Sequence, residues 1–235
     1  MFNAVTSALS NAVSYTKNLN SSLNDIRIVT GQSAEQMAKF AQAANASAQK
    51  LSTTTNSYAK ASLIFYQQGL SDAEVKKRTD AVIKMANVTK ESMEDVSSYM
   101  TAVWNNFDDG TKSLEHYADV MTALGAATAS STKEIAAGLE KFASIGKTIG
   151  LSYDYATSAL ATIVSKTRQS ADTVGTGLRT IFSRLQGLSL GETLEDGVDL
   201  NKYSKALHTV GVDVLDATGN MRQMDAILES LAGKW

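Results

Sequence analysis

The sequence predicts an all-α fold, built as an array of antiparallel helical hairpins. Glycines at positions 69, 110, 150 and 191 follow one another at steps of 41, 40 and 41 residues, and the apolar residues between them form two arms with helical spacing. The 235 residues include no proline, the residue that most readily interrupts a helix. A period of about 40 residues with two helices is typical of stacked helical repeats, since one hairpin cannot bury its apolar face alone.

Residues 1–52 form the first predicted domain, an N-terminal helical or coiled-coil segment. Its apolar residues keep a loose helical spacing; they are Val5, Leu9, Ala12, Val13, Leu19, Leu23 and Ile26. A coiled-coil strand leading out of a longer assembly and a frayed terminal helix both fit this pattern. Gly31 interrupts it, and Ser33 followed by Gln36 predicts a capping box at the start of the next helix.

Residues 53–191 form the second predicted domain, the core of repeated helical hairpins. Three threonines at 53–55 indicate a turn. Glycine at 69 is expected to take the left-handed conformation that ends one helix, and Ser71 is expected to cap the next helix, with Glu74 completing the box. Gly150 and Ser152 repeat this arrangement one double period later.

The arms of this core carry regular apolar stripes. One stripe steps by three and four residues through Met93, Val96, Met100, Val103 and Phe107, and the last one runs through Val174, Leu178, Ile181, Phe182 and Leu185. Such a stripe is the buried face of an amphipathic helix. We therefore interpret these residues as structural core and not as a cofactor site.

Residues 192–235 form the third predicted domain. An acidic, glycine-containing connection leads to a short helix around 203–210, then to a small β-hairpin expected over 212–222, and then to a helix from Met224 to Leu231. Nothing in the pattern calls for an end at Trp235. We expect the chain to be a fragment that continues in a longer protein.

The composition excludes several classes of function. Without cysteine, the chain forms no disulfide and carries no thiolate nucleophile or ligand. The formal charge of −2 does not suit a protein that grips nucleic acid over its whole surface. The charge is uneven: residues 133–184 hold seven basic and four acidic residues, whereas residues 185–235 hold four and eight. The sequence shows no run of about 18 apolar residues and no secretion signal at its start.

The sequence predicts no catalytic residues, no cofactor site and no metal site. His116 and His208 lie about ninety residues apart, and we interpret each as an ordinary helical histidine. Gly175, Thr176 and Gly177 resemble the start of a phosphate loop but lack a preceding strand, so a tight helix crossing explains them better. The acidic group of Glu192, Glu195, Asp196 and Asp199 misses the spacing of a calcium loop and is interpreted as a solvated connection.

Several segments resemble the core region of the tail tape measure proteins of tailed phages. Residues 128–139, 150–152, 167–176 and 181–185 match that family in order and spacing. Residues 58–71 upstream and 219–222 and 227–235 downstream resemble it as well, so the resemblance covers about residues 25–235. The resemblance implies a structural role without catalysis or cofactors. Proteins of this family extend along the tail lumen during assembly, set the tail length, and leave ahead of the DNA at ejection.

The resemblance also implies partners and a location. The partners are the tail tube protein, the tail assembly chaperones and the hub proteins of the tail tip or baseplate. Family analogy adds a homo-oligomer, either trimer or hexamer, and contact with DNA or the host membrane at ejection. The implied location is the tail lumen of the virion, and the host cytoplasm during assembly.

Two alternatives belong to other functional classes. A helical bundle that acts on membranes or forms pores would unfold its hairpins onto a bilayer, and the arms from Gly125 to Gly150, rich in alanine and glycine, are the best candidate for this. A tail-associated hydrolase would need a catalytic constellation, and the sequence offers none.

Overall fold

In the computed structural model the described part of the chain is helical almost throughout, which confirms the all-α prediction. The structure describes residues 2–128, 130–190, 201–218 and 222–234. Within these ranges there are eleven helices: α1 Phe2–Thr30, α2 Ala34–Lys50, α3 Thr55–Tyr66, α4 Asp72–Thr89, α5 Met93–Phe107, α6 Leu114–Ala127, α7 Thr132–Thr148, α8 Tyr153–Thr167, α9 Ala171–Leu190, α10 Asn201–Thr209 and α11 Met224–Ala232.

The chain divides into two compact units, Met1–Ser98 and Tyr99–Trp235. In the first unit α3 is central and packs against α1, α2 and α4. Its core includes Tyr58, Phe65 and Ile83, each at most 3% exposed. In the second unit α7 packs against α6, α8 and most extensively α9. Its core includes Tyr117, Leu139 and Phe142.

The predicted glycine period is visible in the backbone. Gly69, Gly110 and Gly150 all have positive φ, between 73° and 79°, and each lies in the connection between two helices. Gly31 joins the series with a φ of 67°, so the period begins one unit earlier than the sequence analysis placed it. Gly191, the last member of the predicted series, lies outside the described residues.

A second kind of joint lies between α2 and α3, between α4 and α5, and between α8 and α9. Ser52, Lys90 and Arg168 have φ values of 53°, 62° and 58° although none is glycine. They follow the ends of α2, α4 and α8, which are the first helices of the pairs α2–α3, α4–α5 and α8–α9. A side chain in this left-handed region costs about 1 kcal/mol or more, because Cβ crowds the following carbonyl. The joints within these pairs are therefore strained, and the joints between pairs are not.

Each helix from α2 to α9 begins with a serine or threonine cap. The side-chain oxygen accepts a hydrogen bond from the backbone N–H three residues later, which satisfies one of the free donors at a helix start. The capping residues are Ser33, Thr54, Ser71, Ser92, Ser113, Ser131, Ser152 and Ser170. The predicted box at Ser33 and Gln36 is present. At Ser71 the Glu74 N–H makes the cap bond, and the Glu74 carboxylate pairs with Lys77.

The region of the expected β-hairpin contains a short backbone contact. The Arg222 N–H donates to the Val214 carbonyl at 2.9 Å, and Leu215 forms an isolated bridge. Among the described residues of this region there is no strand longer than that bridge. Residues 219–221, at the predicted turn, lie outside the described residues. Val212 and Val214 are buried, so the segment is held by apolar packing as well.

The crossing of α7 and α9 depends on two glycines. A Cβ on Gly175 would lie 2.2 Å from the Gly138 carbonyl oxygen, and a Cβ on Gly138 would lie 2.5 Å from the Ala171 carbonyl oxygen. Neither backbone could yield without separating the helices. This confirms the tight crossing predicted at Gly175, whereas Gly177 faces open space.

We expect Gly175→Ala to destabilise the protein and Gly177→Ala to stabilise it. The first substitution places a methyl group against backbone, at a cost of about 3 kcal/mol. The second replaces an exposed helical glycine with alanine, which gains about 0.5–1 kcal/mol. Urea unfolding followed by circular dichroism measures both changes in the free energy of unfolding. Similar values for the two variants would show that the crossing is not held at backbone distance.

Candidate functional site

The two histidines are each paired with one aspartate. His116 Nε2 lies 2.7 Å from Asp154 Oδ1, a contact that joins the first turn of α6 to the first turn of α8. His208 Nδ1 lies 2.5 Å from Asp213 Oδ1. Among the described residues there is no group of three or more histidine, aspartate or glutamate side chains that could hold a metal ion. Each histidine thus has a structural contact.

The segment that resembled a phosphate loop lies in the middle of α9. Gly175 occupies the crossing with α7, and Thr176 Oγ1 donates to the Asp172 carbonyl within the same helix. Backbone N–H groups inside a helix are already bonded, so they cannot cradle a phosphate. The acidic group at 192–199 is not among the described residues.

An open groove of about 350 Å³ in the second unit is lined in part by a cluster of aromatic side chains. The Tyr153 ring lies 5.5 Å from that of Phe107 and 4.9 Å from that of Tyr117. The Tyr153 hydroxyl donates to the Tyr117 carbonyl at 2.6 Å, and the Tyr117 hydroxyl donates to the Phe107 carbonyl at 3.1 Å. Burial raises the pKa of Tyr153 and, less strongly, that of Tyr117. These hydroxyls fasten the ends of α5, α6 and α8.

A similar groove in the first unit lies over α3, with α2 and α4 as its sides, and also has a volume of about 350 Å³. The Tyr58 hydroxyl donates to Asp80 at 2.8 Å, and the Tyr66 hydroxyl donates to Asp72 at 2.9 Å. Burial, followed by the hydrogen bond to the aspartate, raises the pKa of both tyrosines. Because these polar groups bond to one another, the groove is a packing feature of the helices.

The most extended feature is a line of residues at a spacing of seven. In steps of seven from Met37 to Ile149 there are seventeen positions, and Asp72 is the single charged residue among them. The other sixteen are buried or half-buried. The line keeps its phase through the joints at Ser52, Lys90 and Gly110. The apolar spacing within single arms does not reveal this register, which was therefore not predicted; a count over the whole sequence shows it.

The first helix carries exposed apolar residues N-terminal to its buried part. Ile26 of α1 is fully buried and the helix packs on α3. Towards the N-terminus residues 10–18 are all exposed, and Val13 and Tyr15 are 63% and 42% exposed. Residues 10–18 of α1 thus present side chains that α3, which is 12 residues long, does not cover.

The basic residues of the middle region are divided between packing and surface. Lys141 Nζ lies 2.7 Å from Asp172 Oδ1, and Lys147 Nζ donates to the Asn105 carbonyl at 3.2 Å. Arg168 and Arg179 have exposed side chains on α8's end and on α9. Within the described ranges no helix is long and apolar enough to cross a membrane.

The sequence profile of one protein family matches most of the chain. The family is described as phage-related minor tail protein, and the match covers residues 41–235. It therefore includes every helix from α3 to α11 and most of α2. No solved structure matches the chain.

We expect the protein to lose stability above about pH 10, in part through Tyr153. Its folded-state pKa is raised by burial, so the folded protein retains a proton that the unfolded chain releases near pH 10. The stabilisation is complete below pH 10 and falls as the pH rises further, by about 1 kcal/mol between pH 10 and 11.

Urea unfolding of the wild type and of Tyr153→Phe at pH 8, 10 and 11 measures this effect. The variant should be less stable at pH 8, because the Tyr117 carbonyl loses its donor, but its stability should fall less steeply between pH 10 and 11. Equal slopes for the two proteins would contradict the assignment to Tyr153.

Proposed function

The chain belongs to the phage-related minor tail protein family, and we propose that within the phage tail it is the core region of a tape measure protein. The family supports a structural role in the tail. The finer proposal is that the protein scaffolds assembly of the tail tube, sets the length at which the tube stops growing, and takes part in DNA ejection. We further propose that it has no enzymatic activity.

The observation that carries this proposal is the line of residues at a spacing of seven. A length ruler has to exist as an extended chain at some stage, and extended helices need a seam along which they associate. Heptad spacing provides such a seam, since it keeps one stripe facing the partner helix. In the folded units the same stripe forms the core. One set of side chains can therefore serve both states.

The geometry of the helices shows how large the difference between these states is. The folded helices α2 to α9 have 12 to 20 residues, which correspond to about 18–30 Å. One period of about 40 residues as continuous helix would span about 60 Å. The absence of proline from the whole chain removes the residue that would block such a helix.

Partners and location follow from the same proposal. The proposed partners are the tail tube protein, the tail assembly chaperones and the hub proteins. The proposed location is the tail lumen of the virion, and the host cytoplasm during assembly. The exposed residues 10–18 of α1, which include Val13 and Tyr15, support association with further copies as a trimer or hexamer. Contact with DNA or the host membrane at ejection remains part of the proposal. The segments 1–52, 53–191 and 192–235 are its proposed functional divisions.

We expect deletion of one period to shorten the phage tail by about 60 Å if the segment is part of the ruler. Residues 151–191 are removed from the gene in the phage, and tail length is measured by electron microscopy. Deletion of residues 111–150, nearly the same length, is the matched control and should shorten the tail equally. Tails of normal length would contradict the ruler. Loss of tails in both deletions would identify a folded assembly domain instead.

We also expect the exposed basic residues to contact an acidic lumen wall or passing DNA. Arg179→Glu changes charge without removing a described ion pair, and it should reduce the yield of infectious particles. Arg179→Gln, which removes the charge without reversing it, should have a smaller effect. Lys141→Glu would in addition remove the ion pair with Asp172, but both side chains are largely exposed, so the loss of stability should be small. Unchanged assembly and infection after reversal of Lys141, Lys147, Arg168 and Arg179 would exclude this electrostatic role.

A further inference from the structure

We propose that α9 can be exchanged between two copies of the chain, with Arg168 as the hinge. In the exchanged form the chain straightens between α8 and α9, and α9 packs against α7 of the second copy. This inference concerns self-association of the chain and does not rest on the tape measure role. Three observations carry it: the backbone at Arg168, the register through the joint, and the arrangement of the α7–α9 contacts.

The joint between α8 and α9 is short and strained. It consists of Arg168, Gln169 and Ser170, none of which is a helix breaker of the glycine or proline type. Arg168 has a φ of 58°, where a side chain is unfavourable, and straightening returns it to the helical region. The preceding joint contains Gly150 at a φ of 73°, where glycine has no such strain to release. The two joints of this region therefore differ in their tendency to straighten.

The buried stripe keeps its phase through the strained joint. On α8 it runs through Tyr153, Thr157, Leu160 and Val164, and on α9 through Ala171, Val174 and Leu178, all buried. With Thr167 between them, the steps alternate between four and three residues without interruption. A straightened chain therefore forms one amphipathic helix whose buried face is interrupted only at the exposed Thr167.

The contacts of α9 with α7 can be made again by a second copy. They comprise the backbone approach of Gly138 and Gly175, the ion pair of Lys141 with Asp172, and the Phe142–Phe182 ring pair at 5.6 Å. In the exchanged form α9 of one copy takes the place of α9 in the other copy. The same three contacts with α7 are then made between the two copies. Domain swapping is a low-cost route to a dimer for this reason.

The closed joint also has contacts that the exchanged form gives up. Ser170 Oγ accepts from the Thr173 N–H at 3.2 Å, and Thr167 Oγ1 accepts from the Gln169 N–H at 3.3 Å. A continuous helix replaces these bonds with its own backbone bonds. With the core contacts equal in both forms, protein concentration decides which form is populated.

The test measures a distance within one chain. The protein contains no cysteine, so a double variant with Ser158→Cys and Thr180→Cys carries spin labels at these two positions only. Both positions are exposed. Packed helices lie about 8–10 Å apart, whereas 22 residues of continuous helix span about 33 Å. The labelled chain is diluted with unlabelled chain, unfolded in urea and refolded at low and high concentration, and the label distance is measured by pulsed electron resonance.

A second labelled pair serves as the control for the joint. Glu140→Cys plus Thr162→Cys are also 22 residues apart and span the Gly150 joint. We expect a distance near 33 Å only for the pair across Arg168, only at high concentration, and only in a dimer fraction separated by size. A short distance in every fraction, or the long distance for both pairs, would overturn the proposal.

Substitutions at Arg168 separate backbone strain from charge. Arg168→Gly removes the strain of the closed joint and should lower the dimer association constant by at least about tenfold. Arg168→Ala keeps the strain but removes the guanidinium, and it should dimerise like the wild type. Equal loss in both variants would assign dimerisation to the arginine charge and overturn the hinge. The tail-length measurement is independent of either result.

Discussion

The helical array depends on how its short helices end. Each helix leaves unbonded backbone groups at both ends, and connections of only a few residues have to satisfy them. The chain repeats one solution: a residue in the left-handed conformation closes a helix, and a serine or threonine two or three residues later caps the next, as at Gly69 with Ser71 and Arg168 with Ser170. Packing of the arms follows, since these joints fix the direction in which each helix departs.

The choice of residue at the left-handed position gives the joints different properties. Glycine at 31, 69, 110 and 150 takes this conformation without strain. Side chains at 52, 90 and 168 take it at a cost, which the packing of the flanking helices has to offset. The same fold therefore contains relaxed joints that favour the bend and strained joints that favour a straight helix. Neither kind contains proline, which would have fixed the bend permanently.

Most of the fold could be predicted because its determinants are local. Three local signals define each arm, and they lie within a few residues of the elements that they define: the cap residues, the glycines and the apolar spacing. The arms at 93–107 and 224–231 were therefore placed correctly. The left-handed Lys90 and Arg168 could not be predicted, because a charged residue carries no signal for that conformation. Nor could the partner of Gly175 be identified, since Gly138 lies 37 residues away and only the fold brings the two backbones together.

Two tyrosine hydroxyls contribute to the same helix ends. The Tyr153 hydroxyl donates to the Tyr117 carbonyl, and the Tyr66 hydroxyl donates to Asp72. The side-chain stripe, in contrast, is distributed over several periods and is not concentrated in a cleft. In the proposed role it acts through other helices, whether of the same chain or of another copy. The conformation of the joints therefore decides which of these partners the stripe meets.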